Sequence, residues 1–138
     1  MESYHGTSAK FIKDLVGGKI VNDKGSGELG KGFYTGERLY LAKQWAYNKH
    51  DRSTSVLVLQ TNDIKVEQLD ILIMDYSEAT AARREIKKNE TTQSHEFNVD
   101  MVWSPIVGTT KKVGEQYKWE SQRSMDLLNG KDTTRKTI

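Results

Sequence analysis

The sequence has no cysteine, a single proline and no long apolar run. Without cysteine it has no disulfide framework, no thiolate nucleophile and no cysteine-ligated zinc. A membrane-spanning helix needs about 20 apolar residues, and no stretch approaches that length. The first residues lack the basic segment and apolar run of a secretory signal. We therefore expect a soluble, cytoplasmic protein that makes no membrane contact.

An excess of either charge is also missing. Lys and Arg number 21 against 19 Asp and Glu, and a net charge of +2 is too small to indicate nucleic-acid binding. The 138 residues suit one domain, and three Trp, six Tyr and three Phe supply core material. We predict a single domain over residues 1–130, followed by a polar tail over 131–138 that frays.

Strand and helix patterns mix without a regular alternation, which indicates the α+β class. A helix is expected after an N-cap at Ser8, ending at the glycine pair 17–18. Another is expected after an N-cap at Ser121, with Met125 and Leu128 facing inward. The remaining predicted helices cover 37–48 and 77–88. The predicted strands cover 2–5, 32–36, 55–60, 64–69, 99–103 and 115–120.

Seven of the 11 glycines lie between residues 17 and 36. Residues 25–30, GSGELG, match the dinucleotide-binding pattern GxGxxG, and residues 25–31 match GxxxxGK. The first pattern needs a preceding strand and a following helix, and this segment has neither. The second needs Ser or Thr next, where Gly32 stands. A mobile surface loop is the remaining interpretation.

His5 lies at the end of the predicted first strand, beside Gly6 and Thr7. Its imidazole and the free backbone groups of a strand end are suited to a ligand amide or ribose, although a lone histidine is commonly structural. The three histidines are dispersed and no cysteine accompanies them, so no metal site is predicted.

Two aromatic residues are placed to sandwich a flat ring. Tyr34 lies on a glycine-flanked strand, where a ligand can approach the backbone, and Trp45 lies on the following helix. Stacking between them would suit nicotinamide. The alternative is that both rings belong to the core.

The late strand over 115–120 alternates two kinds of residue. Gln116, Lys118 and Glu120 share one face, and Tyr117 and Trp119 share the other. A polar ligand-facing surface and an ordinary solvated face both fit this pattern.

These segments together resemble the ADP-ribosyltransferase superfamily, in its His-Tyr-Glu branch that includes diphtheria toxin and the poly(ADP-ribose) polymerases. Residues 4–8, YHGTS, resemble its first motif. Residues 30–35, GKGFYT, with the helix around 42–46, resemble the second. Residues 100–108, DMVWSPIVG, and 116–121, QYKWES, resemble the late strands that carry the third catalytic residue. Within the superfamily the likeness is strongest to small bacterial domains found among toxins and mobile elements.

The resemblance implies a split β-sheet core with flanking helices and NAD as co-substrate, without a metal. The implied catalytic residues are His5, Tyr34, Gln116 and Glu120. Glu115 is a further available carboxylate for the third position. The implied NAD-binding residues are His5, Gly6, Thr7, Gly32, Phe33, Tyr34 and Trp45. The glycine-rich segment before Gly32 would then be a flexible loop over NAD.

The implied activity is mono-ADP-ribosyl transfer to a protein or nucleic acid by a bacterial or phage toxin or effector, with an antitoxin as a partner. Gln116 at the third position carries no charge, which disfavours polymer formation. Two alternatives stay open: an NAD glycohydrolase that uses water as acceptor, and an inactive module that keeps the fold and binds NAD or a partner.

Overall fold

The computed structural model describes residues 1–50 and 54–138. Its strands are β1 (Glu2–Ser8), β2 (Ser26–Gly27), β3 (Gly30–Lys31), β4 (Phe33–Gly36), β5 (Thr54–Thr61), β6 (Ile71–Ile73), β7 (Met101–Pro105), β8 (Glu115–Trp119) and β9 (Thr133–Thr137). Its helices are α1 (Ala9–Val16), α2 (Leu39–His50), α3 (Asp63–Glu67), α4 (Tyr76–Lys88) and α5 (Gln122–Asn129). The expected α+β class is confirmed. No helix in the described ranges combines the length and apolar character needed to cross a membrane.

Seven strands form one sheet in the order β6-β7-β8-β4-β1-β5-β9. All neighbours are antiparallel except β6 and β7. The β1–β5 pair extends over seven residue pairs, from Glu2 and Gln60 to Ser8 and Thr54. The β1–β4 pair aligns only Tyr4 with Gly36. The sheet therefore consists of two well-paired parts that meet at one narrow junction.

Apolar side chains fill both faces of the sheet. The first core lies under α1, α3 and α5 and centres on Phe33, Leu57, Leu59, Trp119 and Leu128. The second core lies beneath α4 and consists of Leu29, Met74, Ala79, Ile86 and Val102. Because side chains alternate along a strand, residues of both faces are enclosed.

Two segments differ from their predictions. Residues 64–69 were expected to form a strand, but α3 begins at Asp63, where the Asn62 side chain caps it by accepting a hydrogen bond from the Lys65 amide (3.2 Å). The short strand β6 follows instead. The predicted fraying of 131–138 is also wrong, because Thr133–Thr137 pairs with β5 as an edge strand.

The two serines predicted to cap helices differ in outcome. Ser121 accepts a hydrogen bond from the Ser124 amide (3.0 Å), so the cap of α5 is confirmed, and Met125 and Leu128 are buried as expected. Ser8 makes no side-chain cap. It is the last residue of β1, and its hydroxyl is buried without a hydrogen-bond partner.

The Asp100 carboxylate connects β7 to α5. It accepts hydrogen bonds from the Asp70 amide (2.7 Å), the Ser121 hydroxyl (2.6 Å) and Arg123 (3.2 Å). Burial alone would raise the pKa of Asp100. The hydrogen bonds from Ser121 and Asp70, together with the Arg123 charge, hold the pKa below its ordinary value.

This lowered pKa predicts an acid-dependent loss of stability. A carboxylate with a depressed folded-state pKa stabilises the fold above its unfolded pKa, and that contribution disappears as the pH falls through the folded value. We expect the urea concentration at the unfolding midpoint to decrease as the pH is lowered below about 4. Asp100→Asn should reduce this dependence, whereas Asp126→Asn, at an exposed position on α5, should leave it unchanged. If the urea midpoint of wild type and of Asp100→Asn decreased equally at acid pH, the prediction would be contradicted.

Candidate functional site

Three segments far apart in the sequence lie on neighbouring strands. Tyr4 of β1 faces Gly36 of β4, and Gly36 faces Gln116 of β8. His5, Tyr34 and Gln116 therefore belong to three consecutive strands around the narrow junction. The candidate site is built from the centre of the sheet.

The His5 ring is half-buried and stacks on Phe33, with 4.2 Å between ring centroids. Its Nδ1 lies 2.6 Å from the Tyr34 carbonyl oxygen. Because a carbonyl only accepts, Nδ1 carries the proton in this contact. The hydrogen bond joins β1 and β4 beside their single aligned pair.

Gly6 and Thr7, the next residues of β1, are both buried. A methyl group at Gly6 would lie 2.2 Å from the Ala42 carbonyl oxygen. Glycine at this position thus lets the α2 backbone lie directly against β1.

Tyr34 and His5 point to opposite faces of the sheet. Phe33 and Tyr34 are consecutive on β4, so their side chains leave it on opposite sides. His5 stacks on Phe33 and belongs to the face of the first core. Tyr34 points to the other face. The two candidate residues are thus neighbours through the backbone, and their rings do not converge.

The hairpin formed by β2 and β3 covers the Tyr34 side chain. The Tyr34 hydroxyl donates to the Gly30 carbonyl (2.6 Å) and accepts from the Leu29 amide (3.2 Å). A methyl group at Gly27 would lie 2.6 Å from the ring, so glycine is needed for this close approach. The glycine-rich loop predicted to cover the site therefore contains a hairpin, and Leu29 at its tip is fully buried.

Burial raises the pKa of Tyr34 well above its ordinary value, although the hydrogen bond from the Leu29 amide opposes the shift. The nearby carboxylates of Glu28 and Glu120 raise it further. The hydroxyl therefore stays protonated at neutral pH and serves as a hydrogen-bonding group.

Trp45 lies on the exposed side of α2, with 43% of its surface accessible. The Lys49 ammonium lies over its ring, 4.7 Å from the centroid. No ring contact joins Trp45 to Tyr34 in the part of the chain that the structure describes. The expected pair of stacking rings is therefore not assembled in this arrangement.

Gln116 is buried at the start of β8, and its side-chain amide is held by acceptors. Nε2 donates to Glu28 Oε1 (2.5 Å), the Pro105 carbonyl (3.2 Å) and Ser104 Oγ (3.4 Å). Gln116 thus connects its own strand to β7 and to the hairpin.

Lys118 and Glu120, which follow Gln116 on the same face, form a buried ion pair. Lys118 Nζ lies 2.8 Å from Glu120 Oε2 and donates to the His95 carbonyl (3.1 Å). Glu120 Oε1 accepts from the Asn98 amide (2.7 Å). Burial lowers the pKa of Lys118, and Glu120 opposes that shift. The solvated-face alternative for this strand is wrong, because all three polar side chains are buried.

Gly32 completes the contact between β4 and the ion pair. A methyl group there would lie 2.9 Å from Cγ of Lys118. Glycine therefore lets the Lys118 stem run close along the backbone that leads into Tyr34.

Sequence reasoning did not single out Glu28, which contacts Gln116 directly. Glu28 and Leu29 form the two-residue tip of the hairpin, between the aligned Gly27 and Gly30. The only sequence signal was the glycine spacing around it. That spacing permits a tight turn and does not say which strand the tip contacts.

The described residues contain no group of three or more His, Asp or Glu side chains arranged to hold a metal ion. Comparison with protein-family models and with curated proteins gives no match to this chain.

Proposed function

We propose that this protein is an NAD-dependent mono-ADP-ribosyltransferase acting on a macromolecular acceptor. The observation that carries the proposal is the adjacency of β1, β4 and β8, the strands that hold the three motif segments. The narrow β1–β4 junction divides the sheet into two parts, which supports a split-sheet core of the ADP-ribosyltransferase kind. A bacterial toxin or effector, inhibited by an antitoxin, is the setting that the resemblance suggests.

The side chains of the site have the chemistry that NAD requires, once the β2–β3 hairpin lifts from Tyr34. Bound NAD would supply a ribosyl carbon with nicotinamide as leaving group. Tyr34 then offers an aromatic face, and Gln116 on the same side of the sheet offers a hydrogen-bonding group for ribose hydroxyls. His5, on the opposite side, would act by holding the Tyr34 backbone through its hydrogen bond to the Tyr34 carbonyl. If the hairpin closes again over bound NAD, it would exclude water, which favours transfer over hydrolysis.

Gln116 is the third site residue that the geometry favours. It lies opposite Gly36, next to the strand that holds Tyr34. The carboxylate of Glu120 is instead occupied by Lys118 and the Asn98 amide. A glutamine hydrogen-bonds ribose without adding negative charge, which supports slow transfer of single ADP-ribose groups.

A second candidate function is NAD binding without transfer. It is favoured by the hairpin, which engages both Tyr34 and Gln116 in the same arrangement. A module of this kind would bind NAD or a protein partner and release no nicotinamide.

One experiment separates these functions. The purified protein is incubated with NAD that carries a radiolabelled adenylate phosphate, with and without bacterial lysate. Free nicotinamide is measured by chromatography and labelled macromolecules by gel electrophoresis. Labelled protein or nucleic acid together with nicotinamide supports the transferase, and nicotinamide alone supports the glycohydrolase. Thermal stabilisation by NAD without either product supports the binding module. The absence of all three signals contradicts an NAD site.

A further inference from the structure

The carboxylate of Glu28 is surrounded by hydrogen-bond donors from distant parts of the chain. Oε1 accepts from the Val107 amide (2.8 Å) and Gln116 Nε2 (2.5 Å), and Oε2 accepts from the Gly108 amide (2.6 Å). Among the described residues, no lysine, arginine or histidine forms an ion pair with it. Uncharged donors alone hold this anion.

Two consecutive backbone amides that point at one anion form a recurrent kind of binding concavity. Gly108 is part of its shape, because a methyl group there would lie 2.2 Å from Glu28 Oε2. Gly108 is also exposed, so an oxyanion can reach this place from solvent. We call the Val107 amide, the Gly108 amide and Gln116 Nε2 the oxyanion cradle.

Glu28 reaches the oxyanion cradle from the hairpin that also covers Tyr34. The hairpin is held at further points: Arg83 donates to the Glu28 carbonyl (2.8 Å), and the Lys31 amide donates to the His95 carbonyl (3.0 Å). The hairpin therefore contacts both Tyr34 and Gln116 of the candidate site.

We propose that the oxyanion cradle is a binding site for a phosphate or carboxylate group of a ligand, and that Glu28 is its internal competitor. A ligand oxyanion takes the place of the Glu28 carboxylate, and the hairpin tip then leaves Tyr34 and Gln116. The proposal that NAD is that ligand rests on the proposed function. The cradle itself rests only on the contacts of Glu28.

The test uses Glu28→Ala, which removes the competitor and keeps all three donors. Backbone amide and side-chain NMR signals are followed while sodium pyrophosphate is added at constant ionic strength, and a second titration uses acetate. We expect saturable shifts at Val107, Gly108 and the Gln116 side chain. In wild type, only the fraction of molecules in which Glu28 has left the cradle can bind the anion, and this lowers the apparent affinity. We therefore expect wild type to need at least about tenfold more anion than Glu28→Ala for half-saturation.

Glu37→Ala is the matched control, because Glu37 also accepts a backbone amide, that of Glu115 (2.9 Å), and does not bond the cradle. Glu28→Gln keeps an acceptor at the tip and should give a smaller gain, which preserves the test if alanine unfolds the protein. Saturation by pyrophosphate assigns the cradle to phosphate, and saturation by acetate alone assigns it to carboxylate. Equal responses in wild type, Glu28→Ala and Glu37→Ala, or shifts confined to Lys111 and Lys112, would overturn the proposal.

A third titration with NAD separates this inference from the proposed function. If Glu28→Ala binds pyrophosphate but neither binds NAD nor releases nicotinamide, the oxyanion cradle is supported and NAD is not its ligand. NAD turnover that is unchanged between wild type and Glu28→Ala retains the transferase and rejects Glu28 as a competitor.

Discussion

Glu120→Ala is expected to lower the free energy of unfolding by about 3–5 kcal/mol, because it leaves the buried Lys118 ammonium without its counter-charge. Lys118 is fully enclosed, and it would keep the hydrogen bond to the His95 carbonyl, the face of the Phe97 ring and a weaker attraction to Glu96. The Asn98 amide would also lose its acceptor. Urea unfolding followed by Trp fluorescence measures the change.

The double variant Lys118→Met with Glu120→Gln is the control for this prediction. It removes both charges, retains an acceptor for the Asn98 amide and should recover most of the lost stability. Gln116→Ala should destabilise the protein less than Glu120→Ala, because no buried charge loses its counter-charge. Glu28 loses the hydrogen bond from Gln116, but its carboxylate keeps those from the Val107 and Gly108 amides. A loss below about 1 kcal/mol for Glu120→Ala would mean that the ion pair contributes little.

Tyr34→Ala is expected to reduce nicotinamide release by about 100-fold, because the aromatic face that positions the leaving ring is lost. Tyr34→Phe keeps the ring and removes only the bonds to Leu29 and Gly30. We expect this variant to retain turnover within a few-fold while it loosens the hairpin. Initial rates at saturating and limiting NAD distinguish the two variants.

Tyr40→Ala is the matched control, since Tyr40 is an exposed tyrosine on α2. Its turnover should equal that of wild type. His5→Ala should match Tyr34→Ala in size, because it removes the hydrogen bond that holds the Tyr34 backbone in position on β4. Folded Tyr34→Ala and His5→Ala proteins with wild-type rates would reject the site assignment.

The fold class and most elements could be predicted from local patterns. The apolar β-branched run of β5, the Ser121 cap and the alternation in β8 are all encoded within a few residues. Residues 64–69 were misread because Ile64 and Val66 alternate with polar neighbours, while the cap at Asn62 favours a helical turn. Val66 is buried and Ile64 is exposed, as expected for a short helix that lies on the surface with one apolar side inward.

The candidate site was less predictable, because its decisive contacts are non-local. The Gln116 side chain meets Glu28 across 88 positions of the sequence. The pattern of β8 likewise left open whether Gln116, Lys118 and Glu120 face a ligand or solvent, because local alternation does not reveal what packs over a strand. In the folded protein the hairpin, the residues around His95 and the end of β7 enclose that face.

The edge strand β9 has a consequence for how the protein behaves among copies of itself. The strand it covers, β5, carries the buried run Val56–Leu59, and an uncovered strand of that composition invites pairing between molecules. In β9, the exposed Lys136 places a cationic side chain on the outermost row of the sheet. The neighbouring Arg135 donates to the Val16, Leu128 and Gly130 carbonyls, which fastens the strand to the ends of α1 and α5. The segment whose polarity suggested a frayed tail thus covers the buried apolar run of β5.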